Sequence, residues 1–298
     1  MGDYVHPAGG AARTLGLLEV LRVLGVGERA ARSTLSRMKR RGWLESHRQG
    51  RRSSYQITPK GRALLEEGSR RLFGPRPEPW NGTWHLIAYS LPGERRLTRH
   101  RLRTRLSWLG YGSLLPGTLI AAYPRTAEVT RVLHELEVHP YVHVFANAQL
   151  DSDEQDRVVA RCWDLPAIDT RYAGFVDHYA PILRDLRSRQ ERLGDLPADE
   201  GFVWRFWATY DYSQFPRIDP FLPEELLPRH WRGGAASQLL VELRALLHEP
   251  AERFLKETLH REPRGRRPAR AGAPAGDGGT STPFAPPEPM PRLNEEMG

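Results

Sequence analysis

The stretch Thr14 to Arg41, TLGLLEVLRVLGVGERAARSTLSRMKRR, decides the fold of the N-terminal quarter together with Trp43-Leu44-Glu45-Ser46 and Ser54-Tyr55-Gln56-Ile57. The leucine-rich residues 14–24 predict a helix with Thr14 as its N-cap. Gly25-Val26-Gly27 predicts a tight turn. Residues 28–41 predict a second helix, because Ala31, Leu35 and Met38 recur at the four-and-three step of one buried face. That leaves Arg29, Arg32, Ser33, Ser36, Arg37, Lys39 and Arg40 for the other surface, and Gly42 ends the helix. Residues 43–46 and 54–57 predict two short strands, joined by the polar, basic loop His47-Arg48-Gln49-Gly50-Arg51-Arg52. Thr58 then caps a helix with Pro59 at its first position, running through Arg62–Leu72.

Helix, turn, basic helix and basic hairpin in series is the order of a winged helix-turn-helix. In that arrangement a helix fits the major groove and a basic wing neutralises phosphates. The expected base-reading residues are Arg32, Ser33, Ser36, Arg37 and Arg40, and the expected phosphate contacts are Arg48, Arg51 and Arg52. Arg40 and Arg41 have a simpler alternative role as charges at a helix C-terminus.

The charge distribution points the same way. The 298 residues carry a net charge of +8, but residues 1–76 hold 16 Lys+Arg against 6 Asp+Glu. The remainder holds 28 against 30, so all the excess positive charge sits in the first quarter, as a nucleic-acid-binding module requires. Lysine supplies only three of the 44 basic residues, a bias that explains arginine over lysine and leaves the asymmetry unexplained. A single cysteine, Cys162, excludes a disulfide scaffold and is expected to be a buried thiol. No apolar run approaches a membrane span, and the N-terminus lacks a secretory signal. The expectation is a cytoplasmic protein with no membrane association.

Further along, Gly74-Pro75-Arg76-Pro77-Glu78-Pro79 is a stiff linker. Strands at 84–89, 111–115, 118–122 and 141–148, with helices at 98–109 and 125–137, give the order β-α-β-β-α-β of a ferredoxin-like layer. Residues 154–163, 169–193, 199–212 and 234–260 predict helices, with a kink at Pro181. From Glu262 onward, 8 Pro and 6 Gly fall within 37 residues, so a disordered tail is expected. The overall expectation is an α+β chain. It comprises a winged-helix domain (1–73), a linker (74–80), a ferredoxin-like domain (81–151), a helical C-terminal domain (152–261) and a tail (262–298).

Several separated motifs, in order, resemble the PaaX family of bacterial regulators. They are Gly2-Asp3-Tyr4-Val5, Leu24–Arg32, Gly42-Trp43-Leu44, Gly50-Arg51-Arg52 with Tyr55, and Arg99–Leu102 followed by Leu109–Gly112. Phe215–Pro220, Leu222-Pro223, Leu226–Pro228 and Trp231 complete the set. The resemblance implies a winged helix, a ferredoxin-like middle and a helical C-terminal part. It also implies a homodimer that represses transcription from a double-stranded operator and is released by an aromatic acyl-CoA such as phenylacetyl-CoA. Two departures stand out. The family pattern carries about one more helix before Gly2-Asp3-Tyr4-Val5, without which the backs of Leu17, Leu21 and Leu24 would be exposed. The middle part also resembles the small CRISPR-adaptation nuclease subunit, which has an aspartate where this chain has Tyr89-Ser90. A metal-dependent nuclease thereby loses its key ligand, yet it stands as one alternative. A degenerate member acting through protein contacts is the other.

No cofactor is expected beyond an acyl-CoA effector. Arg95, Arg99 and Arg103 share one side of a helix, which suits either a solvated face or a pocket for the phosphates of coenzyme A. Trp204, Trp207 and Tyr210 suit either core packing or an effector pocket, as does Trp231. His139 and His143 would point the same way on a strand, but neither a cysteine nor a carboxylate completes a metal set with them and His134. No nucleophile elbow, Walker loop or dinucleotide fingerprint is present, so enzymatic activity is not expected.

Overall fold

The protein is described by a computed structural model covering residues 11–50, 52–73 and 79–259. The linker residues 74–78, Arg51 and the tail lie outside the described residues. The chain is a mixed α+β structure with a helical C-terminal part, and it divides into two compact units.

Among the described residues, the first unit contains 11–50, 52–71, 180–211 and 240–259. It begins with β1 (Ala11–Arg13), α1 (Thr14–Val23), α2 (Glu28–Arg40), β2 (Leu44–Gln49), β3 (Arg52–Ile57) and α3 (Pro59–Phe73). The turns that separate the helices follow from two glycines. After α1, Gly25 at φ 81° donates its N–H to Arg22 O and Val26 donates to Leu21 O, both at 2.9 Å. After α2, Gly42 at φ 71° donates to Lys39 O and Trp43 to Met38 O. This double bond pattern is the Schellman stop, which needs a left-handed residue and so selects glycine. The N-cap expectation for Thr14 is corrected: Arg13 occupies the cap, and the Thr14 hydroxyl instead accepts a hydrogen bond from Ser53 Oγ at 2.9 Å.

The expected basic loop 47–52 is also corrected. Pairing continues out to Gln49↔Arg52, so β2 and β3 are longer than predicted and the hairpin reverses within two residues. Gly50, at φ 58°, supplies the conformation such a tight reversal demands. β1 adds a third strand on the other side of β3, giving the antiparallel order β1-β3-β2. Thr58 caps α3 as expected, its hydroxyl accepting the Gly61 N–H at 3.0 Å.

The core of this unit is assembled from distant parts of the chain. Leu17, Leu18, Leu24, Ala31, Leu35, Leu44 and Ile57 pack with Phe202 and Val203 of α8 (Ala198–Tyr212) and with Phe254, Leu255 and Leu259 of α10 (His248–Leu259). Gly16 lies so close to α10 that a Cβ there would stand 2.8 Å from Thr258 O and 2.9 Å from Leu259 Cα. The backs of Leu17, Leu21 and Leu24 are therefore covered by the C-terminal helices. The single helix expected at 234–260 is in fact two, α9 (Gly233–Leu246) and α10, with Pro250 in the first turn of the second. Proline fits there because that position has no helical partner for an N–H.

Among the described residues, the second unit contains 72–73, 79–179 and 212–239. Its centre runs β4 (Trp84–Tyr89), α4 (Arg96–Ser107), β5 (Gly112–Leu115), β6 (Thr118–Ala121), α5 (Thr126–Glu135) and β7 (Val142–Ala148). All strand pairs are antiparallel, in the order β5-β6-β4-β7. Ile87, Leu102, Leu106, Leu119, Val129, Val132, Leu133 and Val138 fill the space between the sheet and the two helices. Then come α6 (Ser152–Cys162) and α7 (Leu165–Leu193), whose first half belongs here. The family-like stretch Phe215–Pro220 packs on α7: Phe215 stacks on Tyr172 at 4.0 Å, and Asp219 accepts the Tyr172 hydroxyl at 2.6 Å. Asp219 also accepts the N–H of Phe221, which sits at φ 53°. Burial pushes the Asp219 carboxyl above the usual carboxylate range, against the two donors that hold it down.

Candidate nucleic-acid interface

α2 has one apolar side and one basic side. Ala31 and Leu35 are buried and Met38 is half-buried, fixing the helix to the core. Arg29, Arg32, Ser33, Ser36, Arg37, Lys39 and Arg40 are exposed on the remaining surface. The sequence-predicted readers Arg32, Ser33, Ser36, Arg37 and Arg40 therefore share one accessible helix. They are not equivalent. Arg32 is tied to Glu28, with Nε at 2.8 Å and Nη2 at 2.7 Å from Oε1. Arg37 donates to Thr34 Oγ1 at 3.1 Å, a contact with no opposing charge. An exposed i,i+4 pair such as Glu28–Arg32 is worth only about 0.3–0.5 kcal/mol, so releasing Arg32 for another anion costs little.

The hairpin extends this surface. Lys39 Nζ donates to Ser46 Oγ at 2.6 Å, tying α2 to β2. Arg48 is exposed and donates to Gly50 O at 3.2 Å. Arg51 lies outside the described residues, and Arg52 is placed in β3 by its backbone alone. Gly61 seats α3 beneath the hairpin: its Cβ position would fall 2.3 Å from Trp43 O. Lys39 and Arg29 share the exposed basic surface of α2, and side-chain type and helical spacing already pointed to them.

A second feature lies in the other unit. A cavity of about 320 Å³ is lined by Tyr89, Ser90, Leu91, Arg99, Arg103, Pro116 and Gly117. Strand pairing builds it, because Tyr89 donates its N–H to Gly117 O at 2.7 Å and so brings the end of β4 against the β5–β6 turn. Arg99 lines it and donates to Leu91 O at 2.7 Å and to Pro92 O at 3.3 Å. Arg103 is exposed beside it. Arg95 does not line this cavity. It donates to Glu137 O at 3.2 Å and lies over the Tyr141 ring at 5.2 Å. Ser90 and Gly117 were not foreseen as lining residues, since nothing local pairs residues that far apart in sequence.

Trp204, Trp207 and Tyr210 lie on α8, which belongs to the first unit, and the residues of the arginine-lined cavity belong to the second. Trp207 packs against the core there, with Phe206 and Tyr210 edge-on at 5.3 and 5.5 Å, and its buried indole N–H has no hydrogen-bond partner among the described residues. Trp231 packs edge-on to Tyr172 at 5.4 Å. His139 is corrected: it opens a one-turn 3-10 helix rather than the strand, so it does not share a face with His143. Among the described residues no three His, Cys, Asp or Glu side chains cluster as metal ligands. Cys162 is half-buried rather than buried, and desolvation still pushes its thiol up to about 11. No described helix is long and apolar enough to cross a membrane.

Comparison with known proteins covers almost all the described chain. Residues 1–61 match the family model described as PaaX-like protein, residues 77–159 the PaaX protein central Cas2-like domain, and residues 163–257 the PaaX-like protein C-terminal domain. The chain is 30% identical over 260 residues to the transcriptional repressor PaaX of Escherichia coli strain K12, covering 86% of this chain and 80% of that protein. Its fold is similar to that of the uncharacterized protein Rv0674 from Mycobacterium tuberculosis, with a TM-score of 0.51 at 20% identity. That likeness covers 82% of this chain and 91% of the other. With three successive family models matched in order, this chain belongs to the PaaX family.

Proposed function

We propose that this protein is a DNA-binding transcriptional repressor with a winged helix-turn-helix head, a ferredoxin-like middle layer and a helical C-terminal part. The observation that carries the reading is α2: a helix anchored by Ala31 and Leu35 that turns a row of exposed arginines outward, beside a basic hairpin. Arginine pairs bidentately with guanine, so Arg37 and Arg40 read bases in the major groove, with Ser33, Ser36 and Arg32 beside them. Arg48, with Arg51 and Arg52, contacts phosphates. A homodimer presents two such heads to the half-sites of a palindromic operator. The repressor name of the Escherichia coli relative supports this reading.

The effector of this reading is an aromatic acyl-CoA such as phenylacetyl-CoA. Coenzyme A carries a pyrophosphate and a 3′-phosphate, and the cavity walled by Arg99 and Arg103 suits such groups. α4 supports the same assignment, since it carries Arg96, Arg99, Arg101, Arg103 and Arg105 with no acidic residue. Release from DNA requires the thioester to bind the DNA-free arrangement more tightly than the DNA-bound one.

The test is a footprint of the full chain on its own upstream DNA, with and without a panel of aryl-acyl-CoA compounds. Protection of two symmetric half-sites, weakened steeply by salt and lifted by one thioester, is the expected result. Arg99→Ala and Arg103→Ala proteins should keep the footprint and lose the release. No protected site anywhere upstream defeats the DNA reading. Unchanged thioester affinity in both variants defeats the effector site alone.

A further inference from the structure

Residues 261–270, Arg-Glu-Pro-Arg-Gly-Arg-Arg-Pro-Ala-Arg, follow α10 after His260 and lie outside the described residues. They hold five arginines against one glutamate, whereas the 28 residues after them hold one arginine against four acidic residues. The positive charge of the tail is thus confined to the part next to the last helix. None of the ten is a large apolar residue, so the run has nothing to insert into a bilayer. Its centre, Pro263-Arg264-Gly265-Arg266-Arg267-Pro268, is more specific than charge alone. Proline disfavours the helical region at the residue before it, here Glu262 and Arg267. Gly265 carries no Cβ to hold a backbone away from a narrow surface. Arginines on either side of such a glycine suit a narrow groove of strong negative potential, which is what the minor groove of A·T-rich DNA offers.

The described residues fix where this run begins. Leu259, the last residue of α10, is buried against α1: a Cβ on Gly16 would stand 2.9 Å from its Cα and 3.2 Å from its O. Two residues before Gly16, Thr14 accepts the Ser53 hydroxyl at 2.9 Å. Ser53 in turn lies opposite Arg48 in the hairpin. The chain therefore leaves the head beside the end of α1 that meets the hairpin, and the hairpin carries the expected phosphate contact Arg48. From Leu259 to Arg270 an extended chain spans at most about 36–40 Å, roughly one turn of duplex. Minor grooves flank the major groove that a reading helix enters, and arms attached to other helical DNA-binding heads use them.

We propose that residues 261–270 are a second DNA-reading element, an arm whose Arg264, Arg266 and Arg267 enter an A·T-rich minor groove beside the half-site that α2 reads. The arm deepens the repressor reading and rests on it for which DNA it flanks. Its preference for A·T pairs follows from groove width and from the guanine amino group, which stands in the minor groove of every G·C pair. The arm adds affinity and selects the flanking sequence, while α2 reads base edges in the major groove. Duplex DNA is favoured over duplex RNA, whose minor groove is wide and shallow.

The test is fluorescence anisotropy of the full chain on two 30-base-pair duplexes, one all A·T and one all G·C, from 50 to 300 mM salt. The variant combines Arg264→Ala, Arg266→Ala and Arg267→Ala, all beyond Leu259, the last described core residue. Wild type should bind the A·T duplex at least about tenfold more tightly than the variant, with a salt slope steeper by about 0.9 for each arginine that displaces a counterion. The G·C duplex should lose less, and netropsin, which fills A·T minor grooves, should bring wild type down to the variant. Equal affinity of the two proteins for the A·T duplex overturns the proposal. An equal loss on both duplexes also overturns it, since the arginines would then sit on phosphates alone, and so does wild-type binding that netropsin leaves unchanged. A footprint on the upstream DNA separates the arm from the repressor reading. Wild type and variant that protect the same half-sites and the same flanks with equal affinity keep the repressor and defeat the arm. A wild-type chain that protects no half-site, yet loses its A·T binding on substitution, keeps the arm's groove preference and defeats the repressor reading.

Discussion

The two sheets of this protein are completed in opposite ways. The four-stranded sheet of the second unit draws its core from one continuous stretch, Ile87 to Val138, with both covering helices between its own strands. The three-stranded sheet and paired helices of the head cannot close alone. Their core is finished by Phe202, Phe254, Leu255 and Leu259, which the chain supplies 177 to 234 residues after the turn at Gly25. A small helical head buries too little surface to be stable by itself. Borrowing α8 and α10 solves that problem and makes the head's integrity depend on the C-terminal segment.

The largest expected effect tests that dependence. Phe254 stacks on Phe202 at 4.8 Å, and Phe254→Ala should cost the head about 3–5 kcal/mol. Gly16→Val should act from the other side, since the new side chain would meet backbone atoms of Thr258 and Leu259 and force α1 away from α10. Both variants should lose operator affinity in step with the lost head structure, followed by thermal melting and by DNA titration of the same samples. Leu106→Ala is the matching change in the other unit, a fully buried leucine whose loss should cost about 2–5 kcal/mol. It should lower the melting of that unit and leave operator affinity at 20 °C near wild type. If Phe254→Ala leaves the head as stable as Leu106→Ala does, the borrowed core is not what holds it.

The same contrast explains what was legible in the sequence. The β-α-β-β-α-β order of the second unit followed from local periodicity, because each element carries its own apolar pattern, although the sheet joins β4 to β6 and β7, which lie apart from it in sequence. Its strand 84–89 matches the observed β4, and the others fall within a residue or so. The head's helices were equally readable from Ala31, Leu35 and the glycine stops. What covers Leu17, Leu21 and Leu24 was not. α10 reads as an ordinary amphipathic helix, and no pattern in it names α1 as its partner. β1 was missed because three residues, Ala11–Arg13, carry no periodicity and gain their strand only from β3. The hairpin is longer than its sequence suggests, since charged residues such as Arg48 and Arg52 have the composition of a loop yet pair as strand. In the candidate site, side-chain type identified the α2 surface. The cavity beside Arg99 needed the pairing of Tyr89 with Gly117.

Within the head, the next effect is smaller. Arg40→Ala and Arg37→Ala should each weaken operator binding by about 1–3 kcal/mol and relax preference at one base pair. Arg32→Ala should cost less, because its guanidinium is already held by Glu28. Glu28→Gln should bring Arg32 up toward the others by removing that competitor. Equal losses for all three arginines, at matched salt, would place them on phosphates instead of bases.

The smallest effect belongs to the self-contained unit. His85 is buried in β4, opposite Ala121, and burial holds its imidazole below the usual histidine range near 6.5. The folded state therefore takes up a proton less readily than the unfolded one. Its contribution to stability is present above the unfolded value and is lost as pH falls through that value toward the folded one. Melting of the second unit should drop between pH 7.5 and 5.5, and His85→Gln should flatten the part of the slope that this residue supplies. The slope identifies its own location. It should appear in the transition that Leu106→Ala lowers and be absent from the one that Phe254→Ala lowers. A slope that follows Phe254→Ala instead would mean that the two units do not melt as separate cooperative blocks, and the contrast between a borrowed core and a local one would then have no thermodynamic counterpart.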